Sequence, residues 1–322
     1  MTARLRPPRD DIATLVDRAR EGDPRAVARL ITLVESNDPA LPDLAAALAP
    51  YTGRAEVVGL TGAPGVGKST TTNELVRALR ADGRRVGVLA VDPSSPFTGG
   101  AILGDRVRMQ SHATDPGVYI RSMSSRGHLG GLAAATPQAV RVLDGAGCDV
   151  VLVETVGVGQ AEVEVASLAD TTLVLLAPGM GDAIQAAKAG ILEIADIFVV
   201  NKADRDGADA TYRDLQGMIG LGARGAGQWR PPVVRSVAVR SEGIEEIVAA
   251  IAKHRAWLRD HDELRSRREQ RAAAEVEAIV LEAVRGRIAA MRDGTTLASV
   301  AASVAAGRTD PYTAADDILA SI

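Results

Sequence analysis

The stretch "GLTGAPGVGKSTTTNELVRAL", Gly59 to Leu79, decides how the rest of the chain is read. Gly62 is followed by four residues and then by Gly67-Lys68-Ser69, the complete G-x-x-x-x-G-K-[ST] pattern. An apolar run, "EVVGLTG", leads in, and a helical pattern from Thr70 to Ala81 leads out. Glycines at these spacings let the main chain from Gly62 through Ala63, Pro64, Gly65, Val66 and Gly67 fold around phosphate oxygens. The helix that starts near Lys68 adds the positive end of its dipole. Lys68 is placed to reach the β- and γ-phosphates as a point charge. Ser69 can offer its hydroxyl to Mg²⁺, with Thr70 beside it in the first turn. Strand, phosphate loop and helix in this order predict an α/β fold built on a mostly parallel sheet.

Working outward, further apolar runs occur at "RRVGVLAVD", "CDVVLVET", "TTLVLLAP", "IFVVNKAD" and "PPVVRSVA". Stretches long enough for helices separate most of them, such as Gly131 to Gly145. Continuous apolar strands alternating with helices imply a parallel sheet covered on both faces, with ligands bound beyond the carboxyl ends of its strands. Ahead of this region, Ile12, Leu15, Val16 and Ala19 share a helical face, Gly22 and Asp23 interrupt it, and a second amphipathic stretch runs to Val34. Past Ile244 the pattern is helical to the end. Val276, Ile279, Val280, Ala283, Val284, Ile288 and Met291 form an apolar stripe that needs a cover, from the N-terminal helices or from a second copy of the chain. The expected organisation is an N-terminal helical extension over 1–52, a phosphate-loop domain over 53–255 and a C-terminal helical region over 256–322.

With 322 residues, the chain is long enough for one large α/β domain plus helical additions. Aromatics make up only 2 %, so Leu, Val, Ile and Ala must fill the core. Lys plus Arg number 37 against 41 Asp plus Glu, a net charge of −4, which gives no reason to expect nucleic acid or an anionic membrane as partner. Cys148 is the single cysteine, reads as a small core residue, and fits a reducing, cytoplasmic setting. The N-terminal "MTARLRPPRDD" lacks the apolar core of a secretion signal, and no segment approaches the ~20 apolar residues that cross a bilayer.

Asn201-Lys202-Ala203-Asp204 follows the apolar run "DIFVV". An Asp carboxylate there accepts from the ring N–H and the exocyclic amine of guanine. Adenine offers no such donor pair and would leave the carboxylate unpaired, at a cost of roughly 1–3 kcal/mol. Asn201 and the aliphatic stem of Lys202 are expected to frame the ring. Ser236-Val237-Ala238, at the next strand end, can present a backbone N–H to the guanine carbonyl oxygen. The expected substrate is therefore GTP and the product GDP.

Hard carboxylates at strand ends suit Mg²⁺, which takes one or two of them and keeps several waters. Asp92 ends "VGVLAVD", and Asp105 lies further along, where a helix N-cap is the competing reading. Glu154 ends "CDVVLVET" and begins Glu154-Thr155-Val156-Gly157, in place of the Asp-x-x-Gly found in most small GTPases. It is read as metal-linked, and Gly157 keeps the spacing at which a backbone N–H senses the γ-phosphate. Gln160 either touches this switch or caps the next helix. Asp182, Gln185 and Lys188 follow Gly179 and Gly181 in "APGMGDAIQAAKAGILEIADI", where a loop Lys directed at the phosphates competes with a solvated helix start. No residue is an obvious hydrolytic base.

The phosphate loop, "VDPSSPFTGGAILGDRVRM", "SMSSRGHLGGL", "ETVGVGQAE", "APGMGDAIQAAKAGILEIADI" and "NKAD" occur in this order across Glu56 to Gly243. That succession resembles the methylmalonyl-CoA mutase-associated GTPases, the MeaB/ArgK group, whose human relative is the methylmalonic aciduria type A protein. The resemblance implies a P-loop NTPase of the SIMIBI class and a homodimer held by the C-terminal helical arm. It implies slow GTP hydrolysis in the service of adenosylcobalamin-dependent methylmalonyl-CoA mutase, gating cofactor loading and protecting or reactivating the mutase. The chain itself is not expected to bind cobalamin. Carried over by position, Ser69, Asp92, Asp105 and Glu154 fall in the Mg²⁺ neighbourhood. Residues 182 to 188 fall in a third switch loop, in which Asp182 and Lys188 join Lys68 and Glu154 as candidates for catalysis.

Two other readings compete. A nickel- or cobalt-inserting GTPase needs soft or imidazole ligands near the switches, and this chain has one Cys and four His (His112, His128, His254, His261), none paired at ligand spacing. A kinase using the same loop to phosphorylate a small molecule or a protein is the other, and Asn201 to Asp204 argue against it by choosing guanine. Older labels call such proteins lysine/arginine/ornithine transport kinases, yet these residues supply no protein-phosphorylation site. His128, in "SRGHLGG", can touch a partner or a phosphate, against the plainer reading of a loop histidine without a role.

Overall fold

The computed structural model describes residues 11–92, 110–112, 114–124, 135–155, 161–179, 191–221, 227–290 and 297–320. Two compact units divide the chain, 1–264 and 265–322.

The first unit is built on a seven-stranded sheet of order β3-β2-β4-β1-β5-β6-β7. Its strands are β1 Glu56–Thr61, β2 Val86–Asp92, β3 Val118–Ser124, β4 Val150–Thr155, β5 Thr171–Leu176, β6 Ile197–Val200 and β7 Val233–Arg235. Every neighbouring pair is parallel. Three short helices precede β1: α1 Ile12–Arg20, α2 Pro24–Glu35 and α3 Leu41–Leu48. Between and after the strands come α4 Lys68–Ala81, α5 Thr136–Gly145, α6 Ala161–Leu168, α7 Ile191–Ile194, α8 Ala208–Leu221 and α9 Ile244–Asp260.

Residues that alternate along a strand face opposite sides of the sheet, so a strand covered twice must be apolar throughout. Val57, Leu89, Val91, Val151 and Val153 pack with α1, α2, α3, α5 and α6, while Val58, Leu60, Val88, Leu152, Leu173 and Leu175 pack with α4 and α9. A smaller cluster, with Phe198 at its centre, joins β5 and β6 to α8. The N-terminal helices thus share the core of the sheet. Leu15, Val16 and Ala19 are the buried face of α1.

Six strands coincide with the apolar runs of the sequence. The seventh, β3, reads "VYIRSMS" and, among the described residues, pairs only with β2. As an edge strand it buries Tyr119 and Met123 and leaves Arg121 half-buried, where it pairs with Glu35 of α2. Its polar content sets it apart from the continuous apolar runs of the other six.

The amino edge of the sheet carries a repeated device. Asp149, Asp170 and Asp196 each stand immediately before a strand, β4, β5 and β6 respectively. Each carboxylate accepts a backbone N–H at the start of the adjacent strand: Arg85 at 2.7 Å, Val57 at 3.1 Å and Thr172 at 2.8 Å. The Val57 and Thr172 donors are buried and are satisfied in this way rather than left unpaired, while the Arg85 bond is open to solvent. The same edge buries His254 of α9, whose Nδ1 lies 2.9 Å from Thr171 Oγ1 and whose Nε2 lies 3.3 Å from Asp196 Oδ1. Cys148 is buried nearby, and burial pushes its thiol up to about 12, which leaves it unreactive near neutral pH.

The second unit is helical. It takes in most of α10 Glu263–Ala290, with α11 Leu297–Ala305 and α12 Pro311–Ala320. The apolar stripe predicted for α10 is on its surface: Val276 is 61 % exposed, Ile279 53 % and Val280 54 %. Among the described residues, no helix is long and apolar enough to cross a membrane.

Candidate nucleotide site

Among the described residues, the phosphate loop, Glu154, Asn201 and Ser236 lie at the carboxyl edge of the sheet because of strand order. In register, Glu154 of β4 stands opposite Leu60 of β1 on one side and Ala90 of β2 on the other. The loop that leaves β1 therefore starts beside Glu154. On the far side of β1, Asn201 directly follows β6 and Ser236 directly follows β7, and Val200 pairs with Arg235. The phosphate loop leaves β1, the Asn201 loop leaves β6 one strand further along past β5, and the Ser236 loop leaves β7 beyond β6.

The phosphate loop has the shape its glycines allow. Gly62 has φ 139°, and a Cβ there would lie 2.2 Å from the carbonyl oxygen of Leu175. Gly67, at φ 101°, precedes α4, and a Cβ would lie 2.3 Å from Asn201 Nδ2. Gly62 excludes any other residue by backbone conformation and by the fixed Leu175 carbonyl, while at Gly67 the positive φ strains any other residue and a Cβ would displace the Asn201 side chain. Gly67 also has no side chain with which to cap α4, so it makes no side-chain bond to the first-turn N–H groups. Those donors, with the helix dipole, are what an anion at this position uses. Lys68 lies across the loop, its Nζ donating to the carbonyls of Gly62 at 2.7 Å and Ala63 at 3.1 Å. An ammonium held this way can pass to phosphate oxygens by exchanging neutral acceptors for charged ones.

Ser69, one residue further, donates to Glu154 Oε1 at 2.5 Å. Thr72 Oγ1 lies 2.9 Å from Glu154 Oε2 and 3.0 Å from the Lys68 carbonyl, its single proton shared between the two acceptors. Glu154 is buried, and so are both hydroxyl residues. Ser69 and Thr72 are three apart on α4 and share a face, so both reach the same carboxylate. Thr72 escaped the sequence reading, although the i, i+3 spacing from Ser69 was the signal for it. A second hydroxyl pair, Thr155 Oγ1 to Thr61 Oγ1 at 3.1 Å, ties the end of β4 to the start of the loop. A hydroxyl and a carboxylate oxygen at hydrogen-bond distance are the hard oxygen donors that Mg²⁺ selects, so this pair fits that ion.

The base-side residues are joined into one frame. Asn201 is buried; its Nδ2 donates to the Val66 carbonyl at 2.8 Å, and its Oδ1 accepts from Ala238 N at 3.1 Å and Ser236 Oγ at 3.2 Å. It therefore links the phosphate loop to the loop after β7. Lys202, at φ 56°, donates to the Gly65 carbonyl at 2.6 Å, which lays its aliphatic stem along the loop. Asp204 is 39 % exposed, with Arg240 Nη2 at 3.5 Å from its carboxylate. The three amides proposed for the guanine carbonyl are engaged within the chain: Ser236 N to Val200 O, Val237 N to Glu242 O and Ala238 N to Asn201 Oδ1.

α4 also reaches the chain on its other flank. Asn73 Oδ1 accepts from Ser111 Oγ at 3.0 Å, and His112 Nε2 lies 3.2 Å from the Asn73 carbonyl. Further down, Arg80 grips Asp115 with two bonds of 2.9 Å. Those bonds hold the Asp115 carboxyl below the ordinary carboxylate range. The segment entering β3 is thereby anchored to the phosphate-loop helix.

Asp105, Gly157, Gln160, Asp182, Gln185, Lys188 and His128 lie outside the described residues. Asp92 ends β2, and its side chain is likewise outside the description.

Three comparisons bear on this site. The sequence model of the family described as "Methylmalonyl Co-A mutase-associated GTPase MeaB" matches residues 27–293. A putative GTPase of Pyrococcus abyssi is 49 % identical over 314 residues, covering 97 % of both chains. The methylmalonic aciduria type A homolog of mouse mitochondria is 42 % identical over 193 residues, covering 59 % of this chain and 46 % of that one. Among solved structures, one described as an LAO/AO transport system kinase aligns with TM-score 0.72 at 29 % identity, covering 98 % of both chains.

Proposed function

The chain belongs to the MeaB family of methylmalonyl-CoA mutase-associated GTPases, and from that premise we propose that it escorts an adenosylcobalamin-dependent methylmalonyl-CoA mutase. In this reading GTP binding and slow hydrolysis gate the loading of the mutase cofactor and protect or reactivate the mutase. Cobalamin stays with the mutase. The protein works as a homodimer in the cytoplasm, its copies joined through the C-terminal helices, whose exposed Val276, Ile279 and Val280 supply an apolar face.

The observation that carries the nucleotide part is the convergence of Lys68, Ser69, Glu154 and Asn201 on one loop. Lys68 neutralises the β- and γ-phosphate oxygens, and the first turn of α4 binds them through its N–H groups. Ser69 and Glu154 hold Mg²⁺, with Asp92 and Asp105 in its neighbourhood. When bound, that ion spreads the charge that builds on the phosphates. Thr72 orients the Glu154 carboxylate toward Ser69. Gly157, Asp182 and Lys188 remain the candidates for sensing the γ-phosphate and for responding to the mutase. Asp204 reads the guanine edge, while Lys202 covers one face of the ring. Thr70, in the first turn of α4, faces the same phosphates.

Base reading is tested with Asp204→Asn, which exchanges an acceptor pair for an amide. GTP binding should fall by about 10²-fold or more, and xanthosine triphosphate should gain. Unchanged GTP affinity would refute the pocket. The partner is tested by co-purification of the chain with methylmalonyl-CoA mutase in the presence of GTP, GDP or no nucleotide. Association that depends on the nucleotide is expected, and its absence would remove the mutase from the proposal while leaving the GTPase intact.

A further inference from the structure

Asp204 is not left to find guanine unaided. Arg240 Nη2 lies 3.5 Å from its Oδ2, while Arg240 Nε lies 3.1 Å from Glu242 Oε1. The guanidinium is therefore held between two carboxylates, one of which reads the base.

Its backbone is fixed from several directions. Arg240 N donates to the Val237 carbonyl at 2.8 Å, and Val237 N donates to the Glu242 carbonyl at 3.0 Å. Ser241, at φ 61°, donates from Oγ to Glu74 Oε2 at 2.7 Å and accepts from Arg77, both residues of α4. The loop that carries Arg240 is thus anchored to the helix that opens at the phosphates. The loop that carries Asp204 is tied to it in turn, because Ala203 N donates to the Ser236 carbonyl at 3.0 Å.

We propose that Arg240 is a positioning residue for base selection: braced by Glu242, it fixes the plane of the Asp204 carboxylate before the nucleotide arrives. The inference rests on the reading of Asp204 as the guanine contact. A carboxylate accepts from both N1–H and the 2-amino group only when its plane lies along the purine edge. A carboxylate free to turn still accepts one bond, from N1–H. Fixing the plane therefore strengthens binding of guanine, which offers both donors, far more than that of hypoxanthine, which offers only N1–H. Arg240 can serve here because its planar fork pairs with two carboxylates at once, whereas a lysine ammonium at the same place is a single point charge. All three side chains are partly exposed, at 52 % for Arg240, 39 % for Asp204 and 59 % for Glu242. The brace is consequently modest and open to salt screening.

The test compares Arg240→Ala and Arg240→Lys with the wild-type protein in the full chain, measuring Kd and kcat for GTP and for ITP. Arg240→Ala should weaken GTP binding about three- to fivefold, ITP binding less than twofold, and leave kcat unchanged. Arg240→Lys should fall between the two proteins, and the Arg240→Ala effect on GTP should shrink at high salt. An equal loss for both nucleotides would mark damage to the loop and overturn the proposal, as would no loss for either. A wild-type protein that binds GTP and ITP equally would overturn the Asp204 reading first, and with it the role of Arg240.

Discussion

Both edges of the sheet bury carboxylates, and they use them differently. At the amino edge, Asp170 and Asp196 accept main-chain N–H groups of the neighbouring strands, partners that move only if the sheet opens. At the carboxyl edge, Glu154 is as deeply buried, yet it accepts bonds from the side-chain hydroxyls of Ser69 and Thr72. A hydroxyl rotates, and its oxygen can turn from donating a proton to coordinating a cation. Lys68 follows the same logic with the loop carbonyls of Gly62 and Ala63. Burial of charge alone therefore does not mark a working site. What distinguishes Glu154 from Asp170 is whether the partner can be exchanged without breaking the fold.

The sharpest test of that contrast replaces a buried carboxylate at each edge. Glu154→Gln should lower GTP turnover by about 10²-fold and raise the Mg²⁺ concentration needed for it, with little change in thermal unfolding. Asp170→Ala should do the reverse. Leaving the Val57 N–H without its acceptor should cost about 1–3 kcal/mol in denaturant unfolding, with the GTP Kd of the folded protein unchanged. If Asp170→Ala altered nucleotide affinity, or Glu154→Gln chiefly lowered stability, the division between the edges would fail.

A smaller effect concerns Glu56 at the start of β1. Burial raises its carboxyl above the ordinary range, against the opposing charges of Arg255 and Arg84. The folded protein thus holds this proton more tightly than the unfolded chain. The linked stability is fully present below the unfolded value and is lost as pH rises through the folded one. Glu56→Gln should flatten that decline in unfolding free energy measured between mildly acidic and neutral pH. A steeper decline in the variant would show that the arginine pairing, not burial, governs the group.

Much of this molecule is legible before any coordinates. Gly62, Gly67, Lys68 and Ser69 announce themselves because a phosphate loop is local: its spacing is fixed by consecutive backbone turns. Six strands are equally plain, since a strand covered on both faces has no room for polar residues. The edge strand β3 breaks that rule, because among the described residues one flank meets no further strand and Arg121 can pair with Glu35. The aspartates before β4, β5 and β6 were in plain view as a residue preceding each apolar run. Their shared task appears only when the adjacent strand is known.

Sequence alone determined the chemistry on offer: a phosphate cradle, hydroxyls, carboxylates at strand ends and an Asn-Lys-x-Asp turn. It did so because each of these depends on neighbours a few residues away. Only the tertiary structure decided who meets whom. That Glu154 rests between Ser69 and Thr72, more than eighty positions distant in the chain, follows from β4 lying beside β1. That Arg240 stands at Asp204 follows from β6 lying beside β7. Strand order is set by how the whole core buries its apolar faces, a sum over the entire chain that no short stretch records.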